Sequence, residues 1–536
     1  MAEPSSSQQL TVPIWKRALA MLRPSHRHTA FSATILLMAS AMLSRVIGLI
    51  RVKYIAHLFG KSSQADAFLA AFQLPDTISY FLIGGAASIS FVTMLSRYDE
   101  AGKKAEGQRA MSVILTTMVL VLSAAILLAE FLAPLYVRLL LHGFQSDPAK
   151  AALCTLLTRI LLPAQLFFLA GGVFGAVLIA RKQFNVQVFT PLIYNCGTIL
   201  GGVLLARYIG VSSLAIGTVA GAFFGPFLLN AVYAHRVGMR YRPILEWSNP
   251  GLHEWIKMSL PLMIGFSLVS VDNWIINYFA SDVGGAVSLL TYAKQLFQAA
   301  AALGQAAGIA SLPFLASLYT KPDRAPFGRT VNASVSRILA FSLLLTAWMI
   351  AMAEPAVDLI YRGGAFHKTD AGAMGLYFAI FSISLCFWSA QAIYARAFYA
   401  AGNTITPMIA STIVVVAALP IYAVLFKATG VMGLAIASDL GIFIQTTVLA
   451  ILLDRRGMVS LAGLEYRELG RSLVASIVSF VPLIALRHFV TSTSRLHEAL
   501  LLVAATIVWL AVAGGMLKLT GSALPDQLMS RFLKRA

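Results

Sequence analysis

Apolar stretches of 18 to 30 residues recur from residue 31 to residue 518, and no other feature restricts the fold so severely. A helix needs about 20 apolar residues to cross the hydrocarbon core of a bilayer. In lipid, each backbone N–H and C=O must be satisfied inside its own segment, which makes runs of this length helical. The pattern predicts an all-α polytopic membrane protein with about 14 transmembrane helices. The residue balance agrees: 58% of the chain is hydrophobic and 12% charged, against about 25% charged in ordinary soluble domains. A soluble chain this apolar could not cover its own surface.

The net charge of +19 sits in short loops between the apolar runs. That placement points to anionic phospholipid headgroups and to topology, not to nucleic acid. With the N-terminus in the cytoplasm, the inner segments hold 27 Lys and Arg and the outer loops 9, so both termini are expected inside. A basic arm, residues 1–30, precedes the first span. Its stretch from Trp15 to Arg23 fits either a short interfacial helix or a positive-inside flank. Cys154, Cys196 and Cys386 fall inside apolar runs without paired spacing and are read as small fillers. No metal-ligand spacing, cofactor motif, P-loop or hydrolase motif stands out, so neither a cofactor nor catalysis is expected.

A weak repeat runs through the chain. Tyr54-Ile-Ala is echoed by Tyr278-Phe-Ala, and Thr190-Pro191 by Thr406-Pro407, each Thr-Pro expected to open a span. Offsets near 220 residues suggest an N-lobe at 31–240 (spans 1–6) and a C-lobe at 241–453 (spans 7–12). A cytoplasmic connector at 454–470, spans 13 and 14 at 471–518 and a cytoplasmic tail at 519–536 follow. Such repeats commonly frame a substrate site. Long runs such as 67–96 and 285–319 must tilt or bend, with Pro75, Gly84-Gly85 and Pro313 as expected bend points.

Charges inside spans carry the chemistry, because each costs about 2.5–3.5 kcal/mol at a helix centre. Span 1 holds Arg45, Arg51 and Lys53. Arg45 and Arg51 project about 120° apart on a helix, compatible with one broad cavity wall; snorkelling to an interface is the other reading, most of all for Lys53. Asp66, opening span 2, either pairs with Arg51 or Lys53 as a gate or is an exposed helix-start carboxylate. Lys294 in span 8 is a cavity cation or a paired charge. Arg159, Asp272 and Asp439 are coupling or structural charges. Buried cations with few carboxylates imply an anionic substrate, and guanidinium groups suit phosphate.

At span 1 the chain reads Leu43-Ser-Arg-Val-Ile-Gly-Leu-Ile-Arg51, then Phe59-Gly60, Ala65-Asp-Ala-Phe68 and Phe72-Gln-Leu-Pro75, with Phe398-Tyr-Ala400 and Thr406-Pro407 later. This resembles the MurJ (MviN) family of lipid II flippases, within the superfamily of multidrug and oligosaccharidyl-lipid exporters. The resemblance implies transfer of undecaprenyl-pyrophosphate-linked peptidoglycan precursor across the bacterial inner membrane. It also implies two six-helix lobes around a cationic cavity, and a groove for the lipid tail on spans 13–14. Arg45, Arg51 and Asp66 match the family's functional residues. Departures are Ser79-Tyr80 in place of an arginine pair, Lys294-Gln295 in place of Asp-Arg, and Val52 in place of an acidic residue. The expected mechanism is alternating access, with Arg45, Arg51 and Lys294 on the diphosphate and cell-wall synthesis proteins as further partners. The rivals are a flippase for another polyprenyl-linked oligosaccharide and a gradient-driven exporter of small cations. The exporter would need carboxylates where span 1 has cations.

Overall fold

The computed structural model describes residues 30–82, 97–99, 101–181, 185–263, 268–489 and 494–525, with positions 91, 94, 95 and 183 between them. The expected N-terminal arm, Gly84-Gly85 and the end of the C-terminal tail lie outside the described residues. In chain order the first helices are α1 (Ala30–Phe59), α2 (Ser63–Ala71), α3 (Gln73–Leu82), α4 (Lys104–Leu140), α5 (Pro148–Leu161), α6 (Ala164–Ala180), α7 (Asn185–Ile209), α8 (Ser212–Ala222) and α9 (Asn230–Arg236). Then come α10 (Pro250–Met263), α11 (Leu268–Ala280), α12 (Ala286–Tyr319), α13 (Ala325–Ala351), α14 (Ala353–Tyr361), α15 (Lys368–Ile383) and α16 (Leu385–Ala400). The chain finishes with α17 (Ile405–Thr429), α18 (Val431–Arg455), α19 (Tyr466–Phe489) and α20 (Arg495–Leu519). Among the described residues nine helices, some of them continuous pairs, are long and apolar enough to cross a membrane; α15 and α16, bent by 40° at Ser384, make a tenth if taken as one span. The protein is an all-α multi-pass membrane protein.

Several spans are broken where the sequence suggested continuity. The run 67–96 divides at Phe72, between α2 and α3. Pro75 therefore sits in the first turn of α3, where its missing N–H costs nothing. α12 runs unbroken through Pro313. The breaks fall instead at Pro163, between α5 and α6, and at Ser384. Pro407 opens α17 as expected, whereas α7 starts six residues before Pro191. Between α8 and α9 the helix widens into a π turn, 223–229, around Pro226; a proline has no N–H for the i−4 bond.

Contacts divide the chain into two compact units: residues up to 51 with 71–134 and 155–265, and 52–70 with 135–154 and 266 onward. The second unit therefore includes the C-terminal ends of α1 and α4, nearly all of α2 and the first half of α5, which the sequence reading assigned to the N-lobe. The first unit's core gathers Phe91, Met111, Ile114, Val173 and Trp255. The second gathers Phe327, Val331, Tyr394, Phe398 and Leu449. A smaller cluster, Ala351, Met352, Leu483 and Ala505, seats α19 and α20.

The closest packing in the first unit is between α7 and α8. Gly197 and Gly201 face Gly217 and Gly221 so tightly that a Cβ on any of them would collide with opposing backbone. The hydroxyls of Thr198 and Thr218 bond across the same seam at 2.9 Å. Without a hydrophobic force between helices in lipid, close approach of small residues is what binds them. Gly217→Leu should separate α7 from α8 at a cost of about 1–3 kcal/mol, lowering the midpoint of thermal unfolding in detergent. Gly514→Leu in α20, where a Cβ meets open space, should leave it unchanged.

Candidate functional site

α1 carries the span 1 cations. Arg45 and Lys53 are exposed and Arg51 half-buried; none makes an ion pair among the described residues. The Arg51 guanidinium lies 5.7 Å from the centroid of the Tyr194 ring, and its Nε is buried with no hydrogen-bond partner. Asp76, in the first turn of α3, is close enough to feel the Arg51 charge. It is solvent-accessible yet surrounded by protein, as on a concave wall. Behind it a cavity of about 190 Å³ is lined by Phe72, Asp76, Ser79, Gln165, Phe168 and Tyr194, among others. Ser79, where the resembling family carries arginine, donates its hydroxyl to Gln165 Oε1.

Asp66 is neither an exposed helix-start residue nor the partner of Arg51 or Lys53. It is fully buried. Lys150 Nζ donates to its Oδ2 at 2.8 Å, as does the Gly285 N–H at 2.8 Å, and the Ser288 N–H donates to Oδ1 at 2.9 Å. The carboxylate thus caps the N-terminus of α12, where backbone donors lack intrahelical acceptors, and binds the first turn of α5 to it. Lys150 also lies 4.0 Å from the Phe144 ring centroid. Around this knot the second unit ties further segments together. Lys61 pairs with Asp370 at 2.8 Å, and the Ala365 N–H donates to the His57 carbonyl at 2.9 Å. His142 Nε2 meets Asp282 at 3.0 Å.

Lys294 is also committed. It is 8% exposed, and its ammonium donates to Asp272 Oδ2 and, at 2.7 Å, to Asn273 Oδ1. Tyr422 and Ser438 hydroxyls donate to the same Asp272 carboxylate. Asp272 therefore joins α11, α12, α17 and α18. Asp439, half-buried on α18, feels the charges of both Asp272 and Lys294, and its Oδ2 is enclosed without a hydrogen-bond partner. Of the two readings of Lys294, a cavity cation or a paired charge, the geometry shows a buried pair with Asp272, in which each charge offsets the burial cost of the other. Arg159 belongs to neither cluster: it is exposed, and its Nε donates to the Glu130 carbonyl at 3.0 Å.

The pairing sets a test. Lys294→Met should strand a buried carboxylate at a cost of about 3–5 kcal/mol, and adding Asp272→Asn should recover most of it, read as the unfolding midpoint. Transport that returns with stability assigns Lys294 to scaffolding; transport that stays lost assigns it to substrate.

Sequence reasoning missed Lys150, counted as an ordinary outer-loop cation, and Asp76 and Tyr194. Asp76 did carry a signal, being a carboxylate inside an apolar run directly after Leu74-Pro75. Nothing local marks Tyr194, Tyr422 or Ser438.

Spans that bury ion pairs and polar hubs, and that enclose a polar cavity, define a class: a multi-pass helical membrane transporter. A family model described as lipid II flippase MurJ matches residues 55–505, and the chain belongs to that family, one of transporters rather than catalysts. It is 27% identical over 443 residues to the "Lipid II flippase MurJ" of Burkholderia cenocepacia, covering 80% of this chain and 84% of that one. It is 25% identical over 431 residues to the "Probable lipid II flippase MurJ" of Vibrio cholerae, covering 77% and 81%. Its fold is that of a solved lipid II flippase MurJ in an inward closed conformation, with a TM-score of 0.76 at 20% identity over 90% of this chain and 99% of the other.

Proposed function

We propose that this protein moves lipid II, a polyprenyl-pyrophosphate-linked peptidoglycan precursor, from the inner to the outer leaflet of a bacterial inner membrane, with both termini in the cytoplasm. The observation that carries this reading is the surplus positive charge of α1. Arg45, Arg51 and Lys53 set three cations against one nearby carboxylate, Asp76, while the other carboxylates near spans 1, 2 and 8 are taken by Lys150, Lys61 and Lys294. Uncompensated charge in a spanning segment needs an anion or water, and paired guanidinium forks fit a diphosphate.

In this reading the headgroup enters from the inner side and settles on Arg45 and Arg51, with Lys53 nearer the outer end. The prenyl tail stays in lipid along α19 and α20, whose outward faces carry Val474, Ile477, Val481, Val503, Ile507 and Leu510. The knot at Asp66 is the outer gate: it joins the ends of spans 2 and 4 to α12, and parts when the outer side opens. Asp272 and Asp439 set the charge balance at the joint of α11, α12, α17 and α18, which lies in the outer half of those helices. The membrane potential favours outward transfer of an anion, by about 2.3 kcal/mol per charge per 100 mV. Anionic phospholipids hold the basic inner loops, and enzymes of wall synthesis are the expected protein partners.

The test is replacement. Deplete the resident lipid II flippase of a bacterium, express this protein and quantify lipid II in the outer leaflet. Restored export supports the reading. A well-inserted protein that exports another polyprenyl-linked sugar but no lipid II assigns it to the rival substrate.

A further inference from the structure

Within the second unit the short helix α14 holds the ends of both final helices. Glu354, in its first turn, pairs with Arg487 in the last turn of α19. One turn further along, Asp358 faces Glu498 in the first turn of α20. The two fastenings differ in kind. Glu354 and Arg487 carry opposite charges and are partly exposed. Asp358 and Glu498 are two acids within hydrogen-bond reach of one another, 1% and 3% exposed, and they share one close counter-charge. Arg362 lies 3.1 Å from Asp358 Oδ2 and 3.5 Å from Glu498 Oε2. Both oxygens of Asp358 and Oε2 of Glu498 are enclosed without a hydrogen-bond partner. Ionised carboxylates only accept, so two of them cannot bond each other. A proton between them supplies the missing donor and leaves one negative charge for one guanidinium. Without it a second buried charge stands uncompensated.

The surrounding groups do not remove that need. The charge of Lys368, in the first turn of α15, also reaches Glu498, but Lys368 is exposed and screened by water. Asp370, in the same turn, is taken by Lys61. On α20 itself Arg495 and His497 are exposed. Arg495 lies beside Gly363 together with His57 of α1, and His497 Nδ1 is 3.0 Å from the Ser494 hydroxyl. Arg487 of α19 is held by Glu354. The charged residues of α13, Arg329 and Arg337, sit in its first half, away from Trp348 and Ala351, which pack against α19 and α20.

We propose that Asp358 and Glu498 share one proton and form a pH-sensitive latch that fastens the first turns of α20 to α14. With the proton in place the cluster is balanced and the latch is closed. As pH rises the pair loses its proton as a unit, two buried carboxylates face one guanidinium, and the end of α20 is driven from α14. The stabilisation is therefore present at low pH and lost as pH rises. Only the end of the helix is freed: about 16 Å along α20, at 1.5 Å per residue, Trp509 Nε1 still donates to the Leu344 carbonyl at 3.0 Å. In the orientation proposed above this end faces the outside, so the mouth between α19 and α20 responds to external pH. The latch itself stands apart from the flippase reading.

The full chain in detergent is followed by hydrogen–deuterium exchange from about pH 5.5 to about pH 8.5, corrected for the intrinsic pH dependence of amide exchange. Protection of the amides at 499–504 should fall about tenfold or more across that range, the factor of one pH unit in a one-proton equilibrium. Protection in α13 should stay constant. Glu498→Gln and, separately, Asp358→Asn each replace the shared proton with a permanent amide donor, and each should keep the protection at 499–504 high and independent of pH. If one variant fails to fold, the other makes the same comparison. Wild-type protection that does not change with pH overturns the latch. So do amide variants that keep the wild-type pH dependence or lose protection at every pH.

Discussion

Asp66→Ala should abolish lipid II export while leaving the protein inserted in the membrane. The substitution removes the counter-charge of Lys150, which is only 6% exposed, and losing one partner of a buried pair costs about 3–5 kcal/mol. It also strips the Gly285 and Ser288 N–H groups of their acceptor, worth about 1–3 kcal/mol for each orphaned donor. These losses fall at the joint between α2, α5 and α12, so they act on closure of the outer end before they act on the fold at large. Asp66→Asn retains the shape and one acceptor oxygen and should be intermediate. Asp66→Ala with Lys150→Met removes the stranded ammonium and should regain stability without regaining export, because the cap on α12 is still missing. Outer-leaflet lipid II and the unfolding midpoint, measured on the same variants, separate the two effects. Normal export by Asp66→Ala would show that the outer gate lies elsewhere.

The second large effect belongs to α1. Arg45→Ala with Arg51→Ala should reduce export by roughly two to four orders of magnitude, taking about 1.5–3 kcal/mol for each charge-assisted bond to phosphate. Expression should not suffer, since each removed charge relieves an insertion penalty of about 2.5–3.5 kcal/mol. Lysine at either position should restore charge without the planar fork and recover only part of the rate. Lys53→Ala, at an exposed position nearer the outer end, should matter far less. Reconstituted vesicles bearing a labelled prenyl-pyrophosphate lipid give the rate directly. A double alanine variant that flips at the wild-type rate would remove the diphosphate-binding role from this helix.

The two predictions differ in how legible their residues were. Arg45, Arg51 and Asp66 stood out because a charge inside an apolar run needs an explanation, and the explanation for Asp66 then proved wrong in its partner. Its true partners, Lys150 and the first turn of α12, lie 84 and 219 residues away. Nothing in the sequence marks Lys150, because a lysine outside a span costs nothing locally. Lys294 and Asp272 were each singled out as charges but not joined, although only 22 residues separate them. Their common neighbours Tyr422 and Ser438 carry no charge to draw attention. Asp76 stands out in sequence only as a carboxylate after Leu74-Pro75, and the cavity it opens into has no sequence signature at all.

What the sequence alone determined is the class of the molecule. Apolar run length fixes helical spans because lipid offers the backbone no other partner, the Lys and Arg asymmetry predicts orientation, and the span 1–2 residues point to the family. What only the tertiary structure decided is which charges are spent and which remain available. Pairing depends on distance in space, and a carboxylate at a span's end can meet cations from any helix that reaches the same depth. The packing chose Lys150 for Asp66 and Asp272 for Lys294. Among the described residues Arg45 and Arg51 make no ion pair, which is why the proposed grip on a diphosphate is assigned to them.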